Sequence, residues 1–232
     1  LYYGEWRNKQ TQRKILSDMI RLVNYHIFPW SEFDLPLEEI LASVKHPSMF
    51  GLTSAIYEHV LLQTGKQIWG CKSTFMIEHI PSIRESYPNA RFVFLVRDPR
   101  DVALSSKKSV FSPCHPLLSA QLWDRQQKVG LAAMKAFPSS FYLLTYETLL
   151  QENQRSREKL CDFLELPLEE QMFEFFKQKE ASKGAALSDS WKNTGKPLKK
   201  NNHGKWRTQL SSKEIAEIES QCFHTMIEFG YE

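Results

Sequence analysis

The run from Arg91 to Val96 constrains this chain most: Phe92-Val93-Phe94-Leu95-Val96 is short, aromatic and β-branched, and it stops abruptly at Arg97-Asp98-Pro99-Arg100. Such a run reads as a strand, and its lack of apolar–polar alternation predicts cover on both faces, as in a parallel sheet. Asp98 is placed to cap a following helix whose first residue is Pro99, where proline gives up only a donor that had no partner. This order puts the Arg97 guanidinium at the strand's carboxyl end and the Ser105 hydroxyl two turns into the helix, so that both can face one anion. A guanidinium fork matches phosphate oxygens, and a helix start adds free amides and the positive end of its dipole. The alternative use of Arg97 is an ion pair with Asp98 or Asp101.

Helices and strands alternate around this unit. Apolar residues at helical spacing predict helices over Gln10–Ile27, from Leu37 through Val44, and over Phe50–Thr64, the last stopped by Gly65. A short strand is expected at Gln67–Gly70 and a helix over Phe75–Ser86. A long helix at Pro116–Ala136, a strand at Phe141–Leu144 and a helix at Gln154–Leu164 follow, and Ala181–Thr208, rich in Gly, Ser, Lys and Asn, reads as a long functional loop. The order implies an α/β fold, a parallel sheet flanked by helices, with ligands at the carboxyl ends of strands. At 232 residues with 42% hydrophobic content, one domain over residues 1–232 is expected.

Charge narrows the partners. Thirty Lys and Arg against 27 Asp and Glu leave only +3, too little for a general nucleic-acid or membrane-surface binder, so any anion site is local. Cys71, Cys114, Cys161 and Cys222 form no CxxC pair, which points to reduced, buried thiols rather than zinc or redox chemistry, and to a cytoplasmic setting. No apolar run approaches the length of about 20 residues that spans a bilayer.

Phe94-Leu-Val-Arg-Asp-Pro-Arg-Asp-Val-Ala-Leu-Ser105 resembles the 3′-phosphate-binding motif of sulfotransferases that use the nucleotide sulfate donor PAPS, in particular the bacterial type and its relatives acting on proteins and glycans. The resemblance gives Arg97 and Ser105 the donor's 3′-phosphate. Trp69-Gly-Cys-Lys72-Ser-Thr74 is similar to the family segment whose lysine reaches the sulfonate or the bridging oxygen, which makes Lys72 the catalytic cation. Leu144-Thr-Tyr146-Glu-Thr-Leu resembles the Tyr-Glu-x-Leu segment near the adenine, with a core tyrosine as the alternative. Asn202-His-Gly204-Lys205-Trp206 resembles the loop that closes over the nucleotide, with Lys196, Lys199 and Lys200 as a basic lip. What the resemblance implies is a P-loop-like sulfotransferase fold, PAPS as donor, adenosine 3′,5′-bisphosphate (PAP) as product, a hydroxyl or amine acceptor, and no metal.

Two features of the family pattern are missing from the sequence. Nothing matches the opening strand and phosphate loop, roughly Pro-x-Ser-Gly-Thr-Thr, that hold the 5′-phosphosulfate. The chain begins at Leu1, so that loop is expected before it, and this stretch alone is expected to bind donor weakly and turn over little. The base is also unassigned: Thr74 stands where some relatives have histidine, and His79 and Glu5 remain as candidates. Acceptor choice is expected from the N-terminal helices and the loop Phe111–Pro116. A nucleotide kinase would need a Walker-type loop and a magnesium-binding carboxylate, where this chain has arginine at the strand end. A non-catalytic anion- or glycan-binding module with a vestigial nucleotide site is the alternative function.

Overall fold

In the computed structural model, which describes residues 5–26, 28–107, 109, 115–187 and 191–232, helix α1 (Lys9–Asn24) starts where the Asn8 side chain accepts the amides of Gln10 and Thr11 at 2.8 and 3.4 Å. Helix α2 (Leu37–Ser43) follows, then α3 (Met49–Thr64), capped by the Ser48 hydroxyl at the Gly51 amide and stopped at Gly65 with φ +65°. Their apolar faces meet at Ile15, Leu16, Ile40, Leu52, Ala55 and Ile56. Each large side chain buried there stabilises by about 1.5–3 kcal/mol. A 3₁₀ turn at Met76–His79 leads into α4 (Ile80–Ser86). These elements belong to the first of two compact units, which ends at Pro88.

The strand expected at Gln67–Gly70 is irregular backbone. Trp69 stacks on Tyr57 with ring centres 4.5 Å apart and meets Tyr87 edge-on at 5.9 Å, so aromatic packing rather than a ladder holds the segment.

In the second unit, Asn89 to Glu232, strand β1 (Phe92–Val96) pairs in parallel with β2 (Phe141–Thr145), in a register that sets Val96 beside Thr145. Parallel strands need a long crossover. Helices α5 (Pro99–Ser106) and α6 (Pro116–Ala136) lie between them in the chain. Helices α7 (Tyr146–Gln151) and α8 (Asn153–Leu164) follow β2, and Tyr142 stacks on Phe163 of α8. Helix α11 (Ser212–Glu228) starts in a capping box of Ser211 and Glu214 and packs on α5 and α6. Just beyond it, Phe229 meets Phe94 and Trp123 edge-on.

The α/β class with a parallel sheet is therefore present, and three details differ from expectation. Strand β1 is covered on one face only: Phe94 and Val96 are buried, while Val93 and Leu95 are 41% and 52% exposed, because α8 covers β2 rather than β1. Within Ala181–Thr208, where a loop was expected, α9 (Lys179–Leu187) and α10 (Trp206–Gln209) form helices, the first through a run of alanine and lysine with high helix propensity. Cys161 and Cys222 are buried thiols, but Cys71 is exposed; Cys114 and most of the Phe111–Pro116 loop lie outside the described residues.

Candidate anion-binding site

The register of β1 and β2 builds the centre of the site. Because Val96 lies beside Thr145, the next residues out of the two strands, Arg97 and Tyr146, emerge side by side at the carboxyl edge of the sheet. The Arg97 guanidinium carbon lies 4.6 Å from the centre of the Tyr146 ring, a cation–π contact. Tyr146 is held by the start of α7, where the Thr145 hydroxyl caps the Thr148 amide at 3.2 Å.

The segment before α10 closes against this pair. Arg97 Nη2 donates to the Asn202 carbonyl at 3.1 Å, Asn202 Nδ2 donates to the Tyr146 hydroxyl at 2.7 Å, and Lys205 Nζ donates to Asn202 Oδ1 at 2.6 Å. Asp101, on α5, fastens the segment: its carboxylate accepts the Gly204 amide at 2.5 Å and the Trp206 amide at 3.1 Å, and lies 3.8 Å from Arg97 Nη2. Gly204 has φ +69°, a left-handed conformation that glycine adopts without strain. Trp206 is buried under the Arg100 guanidinium at 3.9 Å.

Arg97, Tyr146, Gly204 and Lys205 thus share one cluster, linked by Asn202 and Asp101. Asn202 stood inside the motif without a role of its own, and Asp101 had been read only as a possible ion-pair partner of Arg97. No spacing rule points from Asp101 to amides 103 and 105 residues away. Buried Nε of Arg97 has no acceptor among the described residues, and such a donor is costly unless something accepts from it. An anion placed against the guanidinium would supply an acceptor, and in that respect the residues present fit a phosphate.

The other expected residues are not hydrogen-bonded into this cluster among the described residues. Ser105 is exposed on the last turn of α5, one turn beyond Asp101, while its neighbour Ser106 is buried with its hydroxyl unpaired among the described residues. Two of the amides expected free at the start of α5 are taken: the Asp98 side chain accepts from Arg100 N at 2.8 Å, and Glu147 accepts from Asp98 N at 3.2 Å. Carboxylates of the protein itself therefore occupy part of the helix start. Lys72 is exposed on the irregular segment between α3 and the 3₁₀ turn, in the first unit, and His79 and Glu5 are exposed there too. Among the described residues no group of three or more His, Cys, Asp or Glu side chains converges, and no helix is long and apolar enough to cross a membrane.

Residues 5–170 match the family model described as Sulfotransferase family. The chain belongs to the sulfotransferase family. That match takes in Lys72, Arg97, Ser105 and Tyr146 and ends before Gly204 and Lys205. A solved sulfotransferase domain from the curacin biosynthetic pathway superposes with a TM-score of 0.54 at 20% identity, covering 79% of this chain and 77% of that one, which identifies the fold. An uncharacterised Aquifex aeolicus protein is 26% identical over 138 residues, 56% of this chain and 18% of its own length. A Caenorhabditis elegans protein provisionally named a protein-tyrosine sulfotransferase is 26% identical over 98 residues, 40% of this chain and 38% of its own. The chain therefore spans well under half the length of these curated relatives.

Proposed function

We propose that this sulfotransferase-family chain carries the nucleotide end of a site that transfers a sulfuryl group from PAPS to a hydroxyl or amine acceptor. The observation that carries the reading is the Arg97 guanidinium, stacked on Tyr146, with a buried N–H that lacks an acceptor among the described residues and the Lys205 ammonium beside it through Asn202. Arg97 and Lys205 would hold the 3′-phosphate, Tyr146 would flank the adenine, and Gly204 lets the loop turn back onto the nucleotide. Ser105, exposed one turn beyond Asp101, would add a hydroxyl to the same phosphate.

When bound, the donor supplies an electrophilic sulfuryl group and a phosphate leaving group. An exposed ammonium such as Lys72 offsets negative charge that develops on a departing phosphate oxygen. Support for Lys72 in that role is the resemblance of its segment to the family's. An acceptor hydroxyl or amine must also lose a proton, and His79 and Glu5 are the candidate bases on this chain.

The test separates the 3′-phosphate from the rest of the nucleotide. The full chain is titrated with PAP and with adenosine 5′-monophosphate, by a method that reads affinities into the millimolar range. A charge-assisted hydrogen bond contributes about 1.5–3 kcal/mol, or about 10- to 150-fold. PAP is expected to bind at least about tenfold tighter, and Arg97→Ala to erase most of that preference. Equal losses for both nucleotides on substituting Arg97 would contradict the assignment.

A further inference from the structure

The peptide unit between Arg97 and Asp98 is gripped from both sides by side chains. Its carbonyl accepts from Trp123 Nε1 of α6 at 3.0 Å, and its N–H donates to Glu147 Oε1 of α7 at 3.2 Å. A trans peptide is planar, so fixing its two ends fixes the torsions on either side and with them the direction in which Arg97 leaves the strand. Glu147 is available because the strand register that sets Arg97 beside Tyr146 also brings the following residues, Asp98 and Glu147, together.

The second Glu147 oxygen is also engaged. Oε2 accepts the Tyr231 hydroxyl at 2.8 Å, and the neighbouring Glu232 main-chain oxygen accepts from Arg100 Nη2 at 2.8 Å. Arg100 in turn binds both oxygens of Asp98 and reaches Glu219 of α11 at 2.7 Å. Residues 231 and 232 therefore close a network whose other end is the backbone of Arg97. Burial, and then Glu147, raise the Tyr231 hydroxyl above the ordinary phenol range, in keeping with its donation to Glu147.

We propose that Glu147, braced by Tyr231, is a positioning residue: it touches no nucleotide but sets the Arg97 backbone so that the guanidinium meets the 3′-phosphate. The proposal deepens the nucleotide reading above and rests on it for its ligand. Its geometric half stands apart and is tested without ligand.

Three full-chain variants decide it. Glu147→Ala removes both acceptors, Tyr231→Phe removes one brace, and Glu147→Gln restores both contacts, its carbonyl oxygen accepting from Asp98 N and its NH₂ donating to the tyrosine oxygen. Nitrogen-15 NMR of the free protein reads the Trp123 indole N–H and the Arg97 Nε–H. Glu147→Ala is expected to shift the indole signal and speed exchange of the Arg97 proton about tenfold or more; Tyr231→Phe should give a smaller effect and Glu147→Gln near-native spectra. With ligand, Glu147→Ala should cut the preference for PAP over adenosine 5′-monophosphate about tenfold, and Glu147→Gln should keep it within about threefold. Should Glu147→Ala not fold, Tyr231→Phe carries the same comparison. Unchanged Arg97 and Trp123 signals in Glu147→Ala, or in Tyr231→Phe where that variant stands in for it, would overturn the proposal, as would equal weakening of both nucleotides. A wild-type chain without any preference for PAP would instead sink the nucleotide reading, and the two NMR signals would still decide the positioning role.

Discussion

A carboxylate only 1% exposed must be satisfied from within the protein, and Asp101 manages this with two backbone amides of the segment that carries Lys205. Asp101→Asn keeps the shape but presents an NH₂ group to one of those N–H donors. Facing two donors costs about 1–3 kcal/mol, and the cost falls on local opening of residues 191–205. Limited proteolysis in that stretch is expected to speed up about tenfold or more, with PAP affinity falling in parallel. Unchanged cleavage would show that the segment is held by something other than Asp101. Arg97, Tyr146 and Lys205 were legible as residues because each sits in a short motif. Asp101's role was not, since a contact across more than a hundred residues leaves no local pattern. The amide expected free at Asp98 is taken for a similar reason: its acceptor, Glu147, arrives from α7, beyond the neighbouring strand.

At the scale of elements, helix bounds were readable wherever punctuation framed an apolar pattern. Helix α6 runs Pro116–Ala136 as expected, and α3 stops at Gly65. Strand Gln67–Gly70 failed because a β propensity without a partner has no ladder to join, and Trp69 found rings instead. Covered faces were over-read for β1, since an apolar run does not say which neighbour covers it. The seam between α6 and α11 was invisible in sequence and makes its own prediction. Burial opposes ionisation of Asp124, but hydrogen bonds from Lys128 at 2.7 Å, Thr225 at 2.5 Å and Gln221 at 3.4 Å outweigh it and lower its pKa below the ordinary 3.8. Glu214, bound by Lys107 and Ser211 at the start of α11, falls from 4.5 to about 2. Folded-state values lie below unfolded ones for both groups, so each contribution is present above the unfolded value and is lost as pH falls through the folded one, which for Glu214 is about 2. Denaturant unfolding should show stability flat near neutrality and falling below pH 4.5, with a shallower fall in Glu214→Gln. Because Glu214 is partly and Lys128 largely exposed, solvent screens their share, and an undiminished slope in both Glu214→Gln and Asp124→Asn would contradict the assignment.

For the molecule as a whole, what the sequence showed was the family, and the structure adds the cluster on which the proposed nucleotide site rests. Two parallel strands finish level, an arginine and a tyrosine leave them together, and a loop held by one buried carboxylate brings an ammonium to the same place. Helix α11 and the residues after it close behind through Arg100, Glu219 and Tyr231. The most direct test of this account is phosphorus-31 NMR of PAP, whose 3′- and 5′-phosphates give separate signals, during titration with the full chain. The account predicts that the 3′-phosphorus shifts and broadens on binding, and that Arg97→Ala abolishes this response while the fold persists. A response confined to the 5′-phosphorus, or a 3′ response unchanged in Arg97→Ala, would contradict it.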